Sequence, residues 1–131
     1  MIFEADIEKL TQVQELVVNQ AKTAGLDEHK TGQLQLAVEE AFVNIIQHGI
    51  ETTKPEINIV CQEDTLGLTV MIKDRGKPFN PLKAKINIDL DQPLQERTEG
   101  GLGLYFIRQF VDDLDYHYEN GWNVLTMRKL K

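Results

Sequence analysis

The chain has 131 residues and a mass of 15.0 kDa, enough for one domain with a hydrophobic core and too little for two, so a single domain over 1–131 is expected. A net charge of −7, 41% apolar and 27% charged residues describe a soluble globular domain and exclude a basic surface for direct nucleic-acid binding. No apolar run approaches the ~18 residues of a membrane span, and the opening MIFEADIEKL lacks a basic region followed by an apolar one, so a cytoplasmic protein without membrane contact is expected.

After a short apolar start at Ile2 and Phe3, Asp6 is placed to cap a helix carrying Ile7, Leu10, Val13, Leu16, Val17, Ala21 and Ala24, with Gly25 as its stop. Asp27 opens a longer helix through Leu34, Ala37, Val38, Ala41, Phe42, Ile45 and Ile46, running to about Gly49, before a polar connector at 51–55. Stretches 57–63 and 66–73 alternate with period two across a short turn and predict a hairpin with Val70 and Ile72 toward the core. Cys61, the one cysteine, lies in the alternating INIVC and reads as a small buried core residue rather than a reactive thiol. From 75 to 99 periodicity breaks down, leaving only the short alternation Ile86, Ile88, Leu90; a loop this long in a small domain points to function. Gly100, Gly101 and Gly103 then lead into a helix with Leu104, Ile107, Phe110 and Val111, and 114–119 and 122–130 flank Asn120-Gly121 as a hairpin with a type I′ turn. This order predicts an α+β domain, a two-layer α/β sandwich with helices on one face of a mixed, mostly antiparallel sheet.

On the second helix, Glu40 and Asn44 interrupt an apolar stretch four residues apart, with His48 four further on, a row spaced about 6 Å per step. Buried without partners, a carboxylate and an amide would each cost several kcal/mol, on the order of 1–3 by mutational measures. A carboxylate can take a proton and an amide oxygen can hold a hard cation such as Mg²⁺. The same row also reads as a polar surface line beside Gln35 and Glu39. His48 reads as a structural hydrogen-bonder near the helix end. Downstream, Asp74 ends a strand and Gly76 follows: the carboxylate can accept from an exocyclic amine such as that of adenine, and the glycine lets a flat ring approach. A plain turn uses the same residue types. Glycines at 100, 101 and 103 before an amphipathic helix offer backbone N–H groups to an anion without a basic side chain, in neither the Walker nor the Rossmann spacing.

The segments AVEEAFVNIIQHG, DRGKPFNP and EGGLGLYFIRQFVD, in this order over nearly the whole chain, resemble the three nucleotide boxes of the GHKL (Bergerat-fold) ATP-binding superfamily, and within it the anti-sigma factor serine/threonine kinases. The resemblance implies that Glu40 is the general base, that Asn44 ligates the Mg²⁺ bridging the phosphates, and that Asp74 with Gly76 recognises adenine. It implies further that Gly100, Gly101, Leu102 and Gly103 bind the phosphates of ATP and that 77–99 form a lid. The implied activity is transfer of the γ-phosphate to a serine or threonine of an anti-anti-sigma (STAS-domain) protein, combined with sequestration of a sigma factor, in a homodimer. Two positions depart from the family pattern. Where sporulation-type members have arginine directly before the second glycine box, this chain has Glu99, with Arg97 two residues earlier as the side chain that would reach the γ-phosphate on lid closure. Glu99 also suits a nucleotide-gated protein-binding regulator with little phosphotransfer. Where members often carry a hydroxyl residue near the start of the last strand for a water-mediated adenine contact, this chain has Asn123, a polar substitute.

Overall fold

The computed structural model describes residues 1–48, 56–80 and 107–131. Its first element is a strand, β1 (Ile2–Glu4), where the sequence shows only an apolar start; three residues are too few to display an alternation. Asp6 accepts the Glu8 N–H at 3.0 Å and caps a 3₁₀ turn, Ile7–Lys9, that leads into α1 (Leu10–Thr23). The α-helix therefore begins one turn later than the apolar spacing suggests, and Ile7 is exposed. Its end is a Schellman motif: Gly25 adopts φ +85°, Leu26 N–H donates to Ala21 C=O at 3.0 Å, and Gly25 N–H donates to Lys22 C=O at 3.1 Å. Two residues on, the Asp27 carboxylate accepts the Lys30 N–H at 2.8 Å and starts α2 (Glu28–His48).

The two expected hairpins form. In the first, β2 (Glu56–Glu63) and β3 (Gly67–Asp74) are joined by a turn in which Asp64 Oδ1 accepts from the N–H groups of Leu66 and Gly67. In the second, β4 (Asp113–Glu119) and β5 (Trp122–Leu130) are joined by Asn120 at φ +52° and Gly121 at φ +84°, the left-handed pair a type I′ turn requires. The strand order is β1-β2-β3-β5-β4, and every pairing among the described strands is antiparallel, so the sheet is antiparallel rather than mixed. The second hairpin returns with β5, not β4, against β3, which sets that central pair antiparallel.

Helices α1 and α2 pack on each other and cover one face of the sheet. Their buried residues, Val13, Val17 and Ala21 on α1 and Leu34, Val38 and Phe42 on α2, meet Ile57, Ile59, Val70, Ile72, Leu125 and Met127 from the strands. Val70 and Ile72 face the core as expected. Each large side chain buried there contributes at most ~1.5–3 kcal/mol of transfer free energy. Cys61 is only partly buried at the margin of this core, less than the alternation suggests, because it lies near the end of β2; burial still raises its thiol pKa, in keeping with an unreactive residue. The edge strand β4 turns Asp113, Asp115, His117 and Glu119 away from the core, a charged rim that discourages pairing with another sheet. Among the described residues no helix is long and apolar enough to cross a membrane.

Candidate functional site

Along β3 the core-facing positions run Leu68, Val70, Ile72 and then Asp74, the last residue of the strand. On β5 the same face carries Met127, Leu125 and then Asn123, and the register sets Asn123 directly opposite Asp74. At this end of the sheet an apolar layer thus becomes a polar pair, with Asp74 5% and Asn123 6% exposed. A cleft opens over the pair, walled by Ile45 and Asn44 of α2, Ile72, Leu125, Ile107 and Tyr116 of β4. Mostly apolar walls around a few convergent polar groups are the usual build of a small-molecule site.

The polar groups form one network. Asp74 Oδ1 accepts from Gly76 N–H at 2.8 Å and from Asn123 Nδ2 at 3.1 Å. Asn123 Nδ2 also faces the carbonyls of Gly76 at 3.2 Å and Lys77 at 2.9 Å, while Asn123 Oδ1 accepts from Phe79 N–H at 3.1 Å and from the Tyr116 hydroxyl. Burial pushes the Asp74 carboxyl pKa above its ordinary value, opposed by the two hydrogen bonds it receives. Both bonds fall on Oδ1. Among the described residues Oδ2 receives no donor, which leaves one carboxylate oxygen of this cleft-lining residue as an acceptor.

Asn44 reaches this cleft from α2, so it does not belong to a simple polar surface line. Glu40, one turn earlier, is half-buried but is not among the residues lining the cleft. Its neighbour Glu39 points toward α1, where Gln14 Nε2 donates to it at 3.3 Å. Burial first, and the Glu39 charge second, raise the Glu40 pKa above its ordinary value. A carboxylate shifted in this direction is a stronger proton acceptor than an exposed one. Gly76 is buried beside Asp74, to which its N–H donates. His48 is the last residue of α2. Arg97, Gly100, Gly101, Leu102 and Gly103 lie outside the described residues, as do Ile86, Ile88, Leu90 and the lid segment beyond Asn80.

One participant escapes the sequence reading. Tyr116 sits on the core side of β4, where alternation with Leu114 marks it as inward but not as a hydrogen-bond partner of β5. Asn123 was legible as a polar position on the last strand, but its pairing with Asp74 depends on which strand lies beside β3.

A family model described as a histidine kinase-like ATPase domain matches residues 3–129 of the chain. A serine-protein kinase RsbW from Bacillus mycoides is 34% identical over 101 residues, covering 75% of this chain and 63% of that protein. The protein of the same name from Bacillus cereus aligns with the same identity and coverage. The chain thus spans 63% of the length of these curated relatives. Among solved structures, the histidine kinase domain from the Erythrobacter litoralis EL346 blue-light activated histidine kinase superposes with a TM-score of 0.58 at 14% identity, over 97% of this chain and 61% of that one. The Acinetobacter baumannii histidine kinase AdeS superposes with a TM-score of 0.52 at 15% identity, over 99% and 66%. At such identities the two structures show a shared fold.

Proposed function

Because the chain belongs to the histidine kinase-like ATPase domain family, we propose that it binds ATP with Mg²⁺ in the cleft between α2 and the Asp74 end of the sheet, and transfers the γ-phosphate to a hydroxyl of another protein. The observation that carries this reading is the meeting of Asn44, Asp74 and Asn123, from three separate elements, in one apolar-walled cleft. In it, the exocyclic amine of adenine donates to Asp74 Oδ2, the acceptor left open by the network. Asn44 supplies a hard amide oxygen, which fits an Mg²⁺ held mainly by phosphate oxygens and water; when bound, that ion neutralises charge on the phosphates. Backbone N–H groups of Gly100, Gly101, Leu102 and Gly103 would cradle the phosphates, with Arg97 near the γ-position.

Glu40 accepts the proton of the substrate hydroxyl as its oxygen bonds to the γ-phosphorus. The bond from that phosphorus to the β–γ bridging oxygen breaks, and ADP leaves. The substrate we assign is a serine or threonine of an anti-anti-sigma (STAS-domain) protein; the similarity to proteins named serine-protein kinase supports a protein hydroxyl. On this reading the same domain, as a homodimer in the cytoplasm, also holds a sigma factor and makes no direct contact with nucleic acid.

The test is transfer of radiolabel from γ-labelled ATP to purified STAS-domain proteins of the same organism, with Glu40→Gln as control. Labelling that depends on both Mg²⁺ and Glu40 supports the reading; its absence in wild-type protein sinks the kinase. Glu99, an acid immediately before the phosphate-binding glycines, favours a second reading, a nucleotide-gated regulator that binds its partner without phosphorylating it. ATP-dependent partner retention without label transfer distinguishes it.

A further inference from the structure

A primary amide offers two N–H donors and one carbonyl oxygen with two lone pairs. In Asn123 the protein engages all of them. The oxygen takes Phe79 N–H and the Tyr116 hydroxyl, and the nitrogen faces Asp74 Oδ1 and the carbonyls of Gly76 and Lys77. With 6% exposure and no hydrogen-bonding capacity to spare, this side chain has no group left for the water-mediated adenine contact expected at its position on the last strand.

We propose that Asn123, held in place by the hydroxyl of Tyr116, is a positioning residue that makes the cleft selective for a 6-amino over a 6-oxo purine by holding Asp74 with only Oδ2 open to the ligand. The inference rests on the nucleotide-binding reading above. A flipped amide would set its oxygen against three acceptors and its NH₂ group against the Phe79 N–H, which cannot turn to accept. The Phe79 N–H and the carbonyls of Gly76 and Lys77 therefore fix the orientation, and the Tyr116 hydroxyl, which can donate or accept, adds a bond that holds the amide in place. The Nδ2 donor in turn supports the charged form of a buried carboxylate. Ionised, Asp74 can only accept: it welcomes an exocyclic amine and repels a carbonyl. Without that donor the effect of burial is less opposed, the carboxyl takes up a proton more readily, and its O–H can donate to a 6-oxo group. The same amide ties the backbone of Gly76, Lys77 and Phe79 to β5, fixing the cleft wall beside Asp74.

The experiment is calorimetric titration of Mg-ATP and Mg-ITP, which differ in this substituent, into the wild-type chain, Tyr116→Phe and Asn123→Ala across pH 5 to 8. Tyr116→Phe keeps the ring and is expected to lower the ATP-to-ITP affinity ratio about fivefold, the worth of one neutral hydrogen bond. The ratio should also begin to fall at a higher pH than in the wild type. Asn123→Ala should lower the ratio further; if it fails to fold, Tyr116→Phe decides alone. A variant with normal thermal melting that weakens both nucleotides equally, or leaves the ratio and its pH profile unchanged, overturns the inference while leaving nucleotide binding intact. A wild-type chain that binds neither nucleotide overturns both.

Discussion

Asp74 and Asn123 face one another across β3 and β5, and the carboxylate of the first accepts the amide of the second at 3.1 Å. They end the core-facing rows of two different hairpins, so the polar floor of the cleft exists only where the hairpins join. Apolar side chains fill the same rows toward the interior. The sheet therefore moves from core to site within two residues of each strand.

Asn44 should matter for the metal-bound ligand rather than for the fold, since its amide lies in the cleft wall. With Mg-ATP at a hundred times its Kd, the wild-type protein should gain about 2.7 kcal/mol of stability. Asn44→Ala should gain markedly less at the same concentration. With ATP in excess chelator the two proteins should behave alike, which thermal melts in both conditions can read.

Glu40→Gln should reduce label transfer about 10²- to 10⁴-fold, the range for loss of a general base. Its effect on stability should have the opposite sign. The Glu40 pKa is raised in the folded state above 4.5, so the folded protein binds this proton more tightly than the unfolded chain does. The resulting stabilisation is fully present below pH 4.5 and is lost as pH rises through the folded value. Glutamine has no such dependence. Urea midpoints of Glu40→Gln should match the wild type in acid and rise above it toward neutrality.

Lys129 is 7% exposed, and its ammonium donates to Gln33 Oε1 and to the Phe110 carbonyl, each at 2.8 Å. The cation thus ties α2 to the end of the helical residues 107–110, where a positive charge also suits the helix dipole. Lys129→Met relieves the burial of a charge but removes the donor to Gln33 Oε1 and to the Phe110 carbonyl. A loss of about 1–3 kcal/mol in urea denaturation is expected.

Two glycines should respond oppositely to alanine. A Cβ on Gly67 would stand 2.1 Å from the Lys129 carbonyl oxygen, which belongs to the adjoining strand and cannot yield without disturbing the β3–β5 register. Gly67→Ala should cost about 1–3 kcal/mol or more. Gly32 lies within α2 with nothing near its added Cβ. Gly32→Ala should stabilise by up to about 1 kcal/mol through helix propensity, and denaturation midpoints of the pair test both signs.

Much of this protein was legible from local chemistry. The Asp27 cap, the Gly25 stop and the Asn120-Gly121 turn act within a few residues of themselves, so their residue types suffice to place them. The alternation of β3 likewise puts Asp74 on the core-facing row at the strand end, and Gly76 beside it needs no distant partner. By contrast β1 was not recognisable, because a three-residue strand is defined by its pairing with β2, more than fifty residues away, and not by any pattern of its own.

The sequence by itself determined which residues are candidates for the chemistry, their spacing on one helix and one strand, and the family motifs they compose. Tertiary structure decided how they combine. It put β5 rather than β4 beside β3, opposed Asn123 to Asp74, brought Tyr116 onto the amide, and drew Asn44 into the cleft while leaving Glu40 one turn outside its lining. The reason is physical: hydrogen-bond capacity and burial belong to pairs of groups, and those pairs come together only when the two hairpins and α2 close around one core.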